Sequence, residues 1–158
     1  MSDEKFLKGK VAIVTGGSRG IGRAIVLMLA QAGCSVAFSY LTNKEKALAL
    51  QEEVIKLGVK CQASCVDVRN FQAVKEWTEQ VKIANGRIDI LVNNAGIIID
   101  KALMLMAPDD WQNVIDTHLN GMFNVTRCCI VSFMKQKSGN IVNISSVSGL
   151  FGLPRQTN

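Results

Sequence analysis

The segment Thr15–Gly22, with the sequence TGGSRGIG, has the residue types and spacing of a loop that binds phosphate. Its glycines are spaced G-x-x-x-G-x-G, after an apolar run and before a stretch of helical period. Glycine allows a tight turn and a close approach to a pyrophosphate, which then rests on the helix N-terminus. The alternative is a structural turn, but the position between strand and helix favours a nucleotide site. The candidate contacts are Gly16, Ser18, Arg19, Gly20, Ile21 and Gly22.

The end of the second strand-like run, SVAFSY, indicates which dinucleotide would bind. An acid there would hold the 2′-hydroxyl of NAD and repel a 2′-phosphate, but Ser39 and Tyr40 occupy this place. Arg19 supplies a cation, and arginine binds phosphate through several donors. Both features favour NADP(H). Arg19 could instead be a solvated loop charge, and Lys44, at a helix start, has the same two interpretations.

Polar residues that could do chemistry follow three later strand-like runs. Asp67 lies in CVDV, the segment Asn93–Gly96 reads NNAG, and Ser145 and Ser146 follow GNIVNI. Parallel sheets bind ligands at the carboxyl ends of their strands, so we expect these side chains to meet the glycine loop at one edge. Each also has a plainer interpretation: Asp67 as a helix cap, the asparagines and the serines as turn residues.

Strand-like runs alternate with helix-period stretches along the chain. The runs KVAIVTGG, SVAFSY, CQASCVDV, IDILVNNAG and GNIVNISS predict about five strands. The continuous Val and Ile of the first run suit a strand that is buried on both faces. This order predicts a doubly wound α/β fold with a parallel sheet, of the Rossmann type. We expect residues 1–158 to form a single NADP-binding domain.

Four helices are predicted from apolar residues at helical spacing, and glycines close the first three. Thr42 and Glu45 have the spacing of a capping box before the second helix, and Pro108 fits the first turn of the long fourth helix. The predicted buried stripes are Ile21, Ile25, Met28 and Leu29; Ala47, Leu50, Val54 and Leu57; Val74, Trp77 and Val81; and Trp111, Ile115, His118, Met122 and Thr126.

The composition excludes several classes of protein. The chain has 158 residues, of which 48% are hydrophobic and 20% charged, with a net charge of +5. No apolar run approaches the ~20 residues of a membrane span, and the first ten residues lack a signal-peptide core, so we expect a cytoplasmic protein without a membrane partner. Basic residues are scattered and aromatics few, which argues against nucleic-acid binding. The five cysteines lack zinc-site spacing, so we expect reduced, mostly buried thiols and no metal site.

Taken together, TGGSRGIG and NNAG resemble the short-chain dehydrogenase/reductase family. The segments DWQNVIDTHLNGMFNV and GNIVNISSVSG also fit, so the resemblance covers essentially the whole chain. It is closest to the 3-oxoacyl-acyl-carrier-protein reductase branch, to which DKALMLM followed by DDW is similar, with acetoacetyl-CoA reductase a near relative. The resemblance implies NADPH-dependent reduction of 3-oxoacyl thioesters to 3-hydroxyacyl thioesters in fatty acid biosynthesis.

The resemblance also implies which residues contact the cofactor. The position of Asp67 is that of the family's aspartate that hydrogen-bonds the adenine amino group, and Val68 lies beside it. Asn93, Ala95 and Gly96 would line the path of the adenosine and the nicotinamide ribose.

For the catalytic end, the resemblance implies one residue in this chain and two outside it. Ser146 matches the family's serine, which orients the carbonyl. A tyrosine donates the proton, and a lysine one helical turn later lowers the pKa of that tyrosine. The family pattern places the tyrosine one residue beyond Asn158. We therefore expect this chain to be the N-terminal part of the enzyme and to be inactive alone.

His118 departs from the family pattern. The family has an asparagine in T-N-L-x-G, where it helps to hold a water in a proton relay; the run here is Thr117, His118, Leu119, Asn120, Gly121. A histidine could hydrogen-bond water or move protons, which makes His118 a second candidate catalytic residue. The alternative is a hydrogen-bonded histidine on the core stripe.

The implied substrate is an acyl-carrier-protein or CoA thioester, and the complete enzyme is expected to be a homotetramer. Lys135 and Lys137 could help to dock an acidic carrier protein or could be solvated. Met104 and Met106 could border an acyl chain or pack a helix start.

The alternative functions for the chain are another short-chain ketone or alcohol oxidoreductase, such as acetoacetyl-CoA reductase, and an inactive nucleotide-binding fragment. We also expect the fifth strand to be an exposed edge that promotes aggregation.

Overall fold

A five-stranded parallel sheet forms the centre of the computed structural model, which describes residues 5–158. The strand order is β3-β2-β1-β4-β5, and every neighbouring pair is parallel. The bounds are β1 Val11–Val14, β2 Ser35–Tyr40, β3 Cys61–Cys65, β4 Ile90–Asn93 and β5 Asn140–Asn143. The predicted fold class is confirmed, and the third and fifth strands end a few residues earlier than their apolar runs suggested.

Five α-helices connect the strands or follow them. They are α1 Gly20–Gln31, α2 Lys44–Lys56, α3 Phe71–Asn85, α4 Pro108–Ile115 and α5 Gly121–Gln136. A π-helical turn, Asp116–Asn120, joins α4 to α5, and short 3₁₀ turns cover Leu103–Leu105 and Val147–Gly149. Pro108 occupies the first turn of α4, as its fixed φ angle and missing N–H favour.

Two hydrophobic clusters cover the two faces of the sheet. Helices α1 and α2 supply one cluster, in which Phe38 and Leu50 are buried, and α3 and α5 supply the other, in which Trp77 and Val125 are buried. β1 lies in the centre of the sheet with all four residues buried, as its continuous apolar run predicts. The strand order reverses between β1 and β4, and such switch points are where sheets of this type bind ligands.

The predicted buried face of α1 is wrong in part. Ile21 and Met28 are 63% and 70% exposed, whereas the buried positions are Gly22, Val26 and Ala30. The helix sequence GIGRAIVLMLAQ is apolar almost all round, so its pattern does not define one face. The rotation of the helix is instead set at its first turn, where Gly22 packs against the glycine loop.

The long helix also differs from the prediction. Its buried positions include Val114, Thr117, Gly121 and Val125, while Trp111 and His118 are exposed. The hydrogen bonds of the π turn span five residues instead of four, so a stripe extrapolated at 3.6 residues per turn from Trp111 misses the face that packs on the sheet. The interpretation of His118 as a core residue is therefore wrong.

The predicted capping box of α2 is not formed. The residue before the helix is Asn43, whose φ of 61° places it in the left-handed region, and none of the side chains that the structure describes caps this end. Asn tolerates this conformation better than Thr does. The predicted stripe of α2 is confirmed, with Ala47, Leu50 and Val54 buried.

All five cysteines are free thiols. Burial raises the pKa of Cys34, Cys61 and Cys129 to about 12, so these side chains remain protonated at neutral pH. Cys65, at the end of β3, is exposed, which departs from the expected burial. Within residues 5–158, no helix is both long and apolar enough to cross a bilayer.

Candidate active site

The glycine loop between β1 and α1 is held by hydrogen bonds from both sides. The amide of Gly16 donates to Ser39 Oγ at 3.2 Å, and the amide of Gly17 donates to the Ser39 carbonyl at 2.9 Å. From the other side, Asn94 Nδ2 donates to the carbonyls of Thr15 at 2.9 Å and of Gly16 at 3.1 Å. The end of β2 and the segment after β4 therefore fix the loop between them.

The start of α1 presents a row of free backbone amides. Within residues 5–158, the amides from Ser18 to Gly22 have no acceptor, and the next hydrogen bond runs from the Arg23 amide to the Arg19 carbonyl at 3.2 Å. Free amides at a helix N-terminus lie at the positive end of the helix dipole and bind anionic groups. The loop therefore has the donors that a pyrophosphate needs.

Gly22 must be glycine because α1 and the loop approach too closely for a side chain. A Cβ atom on Gly22 would overlap the carbonyl oxygen of Gly16 and lie 2.5 Å from Asn94 Nδ2. Because both atoms belong to the clamp that shapes the loop, a side chain at Gly22 would displace the free amides.

The end of β2 differs from an NAD-type site in which an acid faces the ribose. Ser39 and Tyr40 are both buried, and Ser39 Oγ is occupied by the Gly16 amide. Arg19 and Lys44 are exposed, and neither forms an ion pair within the part of the chain that the structure describes. Both cations are therefore free to meet an anionic ligand.

Asp67 lies in the loop between β3 and α3 and is paired with Arg69. Its carboxylate accepts hydrogen bonds from the Arg69 amide at 2.9 Å and from Nε at 3.0 Å and Nη2 at 2.7 Å. The hydrogen bonds from the Arg69 side chain hold the pKa of Asp67 below its ordinary range, so it is ionised at neutral pH. Asp67 does not cap α3: that cap is Asn70, whose side chain accepts from the Ala73 amide at 3.0 Å.

The same loop is tied to α5. Asn124 Nδ2 donates to the carbonyls of Val68 at 3.0 Å and Arg69 at 3.3 Å. A Cβ on Gly121 would lie 2.6 Å from Val68 Cγ2, so α5 packs directly on the loop. This contact fixes the position of Asp67 relative to the rest of the carboxyl edge.

The two asparagines of NNAG have different surroundings. Asn93 is buried, and its Nδ2 donates to Asn143 Oδ1 at 2.8 Å and to Thr126 Oγ1 at 3.2 Å. Its Oδ1 is buried without a hydrogen-bond partner within residues 5–158. Asn94 holds the glycine loop instead, while the amides of Asn94 and Ala95 both donate to Thr15 Oγ1 at 2.9 Å. Asn93 thus joins β4 to β5 and α5.

His118 contacts the backbone just after NNAG. Its Nε2 lies 2.9 Å from the Ile97 carbonyl oxygen and 3.2 Å from the Ile97 amide nitrogen. A Cβ on Gly96 would lie 2.6 Å from His118 Cε1, so the imidazole can take this place only because residue 96 is glycine. The π turn brings the ring to this peptide.

Ser146 lies on an exposed turn after β5. The Ile144 amide donates to the Asn93 carbonyl at 2.8 Å, which continues the β4–β5 pairing up to this turn. Ser146 Oγ accepts from the Ser148 amide at 3.2 Å and lies 3.2 Å from Ser148 Oγ. Both contacts connect the Ser146 hydroxyl to Ser148 at the carboxyl end of the sheet.

Asp67, the glycine loop, NNAG and Ser146 follow the carboxyl ends of β3, β1, β4 and β5, so they lie along one edge of the parallel sheet. A cavity of about 30 Å³ at this edge brings together four of the predicted site residues, Val68, Asn93, Ala95 and His118, and its lining also includes Thr15, Thr117 and Ile144. The other predicted site residues do not line it. Among the described residues, no group of three or more acidic, histidine or cysteine side chains could hold a metal ion.

Sequence reasoning missed three residues that shape this edge. Thr15, Ser39 and Asn94 hold the glycine loop through buried or half-buried hydrogen bonds. Thr15 and Asn94 stand inside the motifs TGGSRGIG and NNAG, so their positions were visible, but only the folded chain brings the two motifs into contact.

The chain matches one family of known proteins over most of its length. The family described as short chain dehydrogenase matches residues 10–158. The 3-oxoacyl-[acyl-carrier-protein] reductase FabG of Staphylococcus aureus (strain N315) is 46% identical over 149 residues, and that of Thermotoga maritima is 43% identical over 152 residues. These matches cover 94% and 96% of this chain, and the chain spans 61% of the length of each relative.

The fold is similar to that of a solved xylitol dehydrogenase with bound NAD⁺. The TM-score is 0.90 at 31% sequence identity, with 95% of this chain and 58% of that protein covered.

Proposed function

This chain belongs to the short chain dehydrogenase family, a family of oxidoreductases with a nicotinamide cofactor, and from that premise we propose that its parent protein reduces 3-oxoacyl thioesters to 3-hydroxyacyl thioesters with NADPH. The observation that carries the proposal is the row of free amides from Ser18 to Gly22, which lies at the same carboxyl edge of the sheet as the Ser146 turn. Identities of 43–46% to reductases named for 3-oxoacyl-acyl-carrier-protein favour this substrate class over the sugar alcohol of the xylitol dehydrogenase, at 31%.

The residues at the carboxyl edge fit a dinucleotide. The free amides and Arg19 would hold the phosphates, the ionised Asp67 would accept from the adenine amino group, and Gly96 would lie along the nicotinamide ribose. The loop already has this shape because its clamp is made by protein groups alone. When bound, the cofactor supplies the hydride for ketone reduction.

The preference for NADPH over NADH is assigned to Arg19. An exposed guanidinium that forms no ion pair within residues 5–158 can bind a 2′-phosphate, and the buried Ser39 and Tyr40 present no acid that would repel it. We expect Arg19→Ala to weaken NADPH binding by about ten- to a hundredfold, as for the loss of a charge-assisted hydrogen bond, and to leave NADH binding nearly unchanged. Arg23→Ala is the matched control, because Arg23 is already paired with Glu53 at 2.6 Å. An equal loss for both cofactors would contradict the assignment.

Ser146 is proposed to orient the substrate carbonyl through its hydroxyl, at the strand end next to the nicotinamide path. His118 is proposed as a second site residue, since its ring contacts the Ile97 peptide beside Gly96. Its Nε2 is engaged with backbone, so His118 serves to hold this peptide rather than to donate a proton to substrate.

The proton donor of the family is not among the residues of this chain. Tyr40 is the single tyrosine, and it is buried in β2. Loss of a proton donor removes nearly all turnover. We therefore propose that the 158-residue chain binds cofactor as a single NADP-binding domain but does not complete the reaction.

The proposed partner is an acidic acyl-carrier protein, with a CoA thioester as the alternative carrier. Lys135 and Lys137 lie exposed at the end of α5, where they could meet an acidic surface. Homotetramer formation by the complete enzyme is supported by exposed apolar residues at helical spacing along the π turn and α5. This stripe consists of Leu119, Phe123, Ile130 and Met134. The cytoplasmic location stays a prediction.

The function is tested by separating binding from turnover. Titration of the 158-residue chain with NADPH, followed by cofactor fluorescence, should show saturable binding that is weaker for NADH. The same chain mixed with NADPH and acetoacetyl-CoA should show no loss of absorbance at the nicotinamide band. Absence of cofactor binding would overturn the proposed function, and clear turnover would overturn the assignment of the missing proton donor.

A further inference from the structure

A relay of hydrogen bonds connects the Ser146 turn to the loop that follows NNAG. Ser146 Oγ donates to Ser148 Oγ at 3.2 Å, and Ser148 Oγ donates to Gln156 Oε1 at 2.9 Å. The amide of the same glutamine completes the relay, because Gln156 Nε2 donates to Asp100 Oδ2 at 3.1 Å. One side chain thus holds both the serine turn and a carboxylate that is 56 positions away.

Backbone contacts bring the two segments together around this glutamine. The Lys101 amide donates to the Arg155 carbonyl at 2.9 Å, which forms an isolated parallel bridge between Lys101 and Gln156. Asn158 Nδ2 donates to the Ile99 carbonyl at 2.9 Å. These contacts and the relay together are named the clasp, consisting of residues 99–101, Ser148 and residues 155–158.

The far side of the clasp is anchored in α4. Lys101 Nζ forms an ion pair with Asp110 Oδ2 at 2.6 Å, and the same oxygen accepts from the Ala107 amide at 2.9 Å. The loop that Gln156 contacts is therefore fixed to a helix. The serine turn has no comparable support from a core, since β5 is exposed along its whole length.

We infer that Gln156 is a positioning residue that fixes the Ser146 hydroxyl relative to the loop of residues 97–102. The amide is suited to this task because it accepts at one atom and donates at the other, as the serine and the carboxylate require. The importance of the clasp for catalysis rests on the proposed role of Ser146. Its existence does not, because it is defined by contacts within this chain.

The test exploits the polarity of the Gln156–Asp100 hydrogen bond. Gln156→Glu keeps the acceptor for Ser148 but removes the donor and places two carboxylates side by side. We expect the Lys101 amide to exchange with solvent about tenfold faster or more, as for a local opening. The NMR signals of the Ser146 and Ser148 amides should shift together with it. Asp100→Asn with Gln156→Glu restores a donor–acceptor pair of reversed polarity, and should return both readouts toward the original values.

Two controls make the outcome decisive for the 158-residue chain. Asp100→Asn alone should have little effect, because the asparagine oxygen can still accept from Gln156. Gln156→Ala, which introduces no charge, should open the clasp in the same direction. Rescue by the double variant at unchanged unfolding temperature supports the inference. Shifts confined to residues next to position 156, or the absence of rescue, would overturn it. Because none of these readouts needs NADPH, an intact clasp without cofactor binding would refute the proposed function alone.

Discussion

The neighbouring strands β4 and β5 pair residue by residue, yet their surroundings are opposite. Leu91 is fully buried while its partner Ile141 is 38% exposed, and Val92 is 4% exposed against 46% for its partner Val142. β4 lies between two strands and under helices on both faces, whereas β5 has one neighbour in the described sheet. Similar apolar sequences thus stand in a core and at an edge.

This difference separates the two halves of the site. The free amides of the glycine loop rest on β1, β2 and β4, and the hydrogen bonds of their clamp are buried or half-buried. Ser146 follows β5, and the hydrogen bonds of its turn are exposed. Buried hydrogen bonds in a packed frame define one geometry better than exposed ones do. We therefore expect the cofactor half to be preformed and the serine half to depend on the clasp.

The largest effect is expected from a side chain in the cofactor half. Gly22→Ala places a methyl group against the Gly16 carbonyl and Asn94 Nδ2, which forces the loop to move. We predict a loss of NADPH affinity of about a hundredfold or more, measured by fluorescence titration. Gly152→Ala is the matched control, because a Cβ there meets no atom of residues 5–158 within 4 Å. Equal affinities for the two variants would mean that the clamp does not shape the cofactor site.

The glycine loop also shows which features could be predicted from the sequence and which could not. The parallel α/β fold class and the buried stripes of α2 and α3 follow from patterns that are local: continuous apolar runs, helical spacing and glycine motifs. The clamp by Asn94 and Ser39 could not be predicted, because it joins atoms that lie far apart along the chain and whose distances depend on strand register.

The prediction of which face of the long helix is buried failed for a different physical reason. The π turn Asp116–Asn120 shifts the helical phase by one residue, and no composition signal in DTHLN distinguishes it from an α-helix. This shift moved His118 from the predicted core stripe to the Ile97 peptide. The hydrogen-bond relay through Gln156 could not be predicted from the sequence either, because it depends on where an irregular segment folds back.

The next prediction compares the registered pair Val92 and Val142 directly. Val92→Ala removes buried methyl groups from β4 and should lower the free energy of unfolding by about 2–3 kcal/mol. Val142→Ala removes partly solvated ones and should cost less than about 1 kcal/mol. Urea unfolding of the 158-residue chain followed by circular dichroism measures both values.

The same pair tests the exposed edge. Unpaired apolar strand edges promote association, so the unaltered chain should self-associate in light scattering, and Val142→Lys should reduce this association with little change in stability. If Val92→Ala and Val142→Ala destabilise the chain equally, β5 is covered in solution and the contrast between the strands is wrong. A monodisperse monomer in light scattering would contradict the expected self-association through β5.

A smaller effect than that of Val92→Ala is expected at Asp89, which lies at the amino ends of the strands opposite the site. Its buried carboxylate accepts from the Val11 amide at 3.0 Å, and it pairs with Arg87 at 2.5 Å and Lys10 at 3.2 Å. Its carbonyl accepts from the Asn140 amide at 2.9 Å, so this residue connects β1, β4 and β5. Burial raises the pKa of Asp89, but the hydrogen bonds from Arg87, the Val11 amide and Lys10 outweigh it and hold the pKa below its ordinary value.

A lowered pKa in the folded state makes the stability of the fold depend on pH in a defined direction. The carboxylate stabilises the fold above its unfolded pKa of about 3.9, and this contribution is lost as the pH falls through the lower folded pKa. Asp89→Asn should therefore destabilise the chain by about 1–2 kcal/mol at pH 7, and by less as the pH approaches 3. Asp109→Asn, which removes an exposed carboxylate in α4, is the control with which the acid limb of the unfolding curve is compared. If Asp89→Asn loses the same stability at every pH, the ion pairs do not set this limb, and the strand ends are held together by the backbone hydrogen bonds alone.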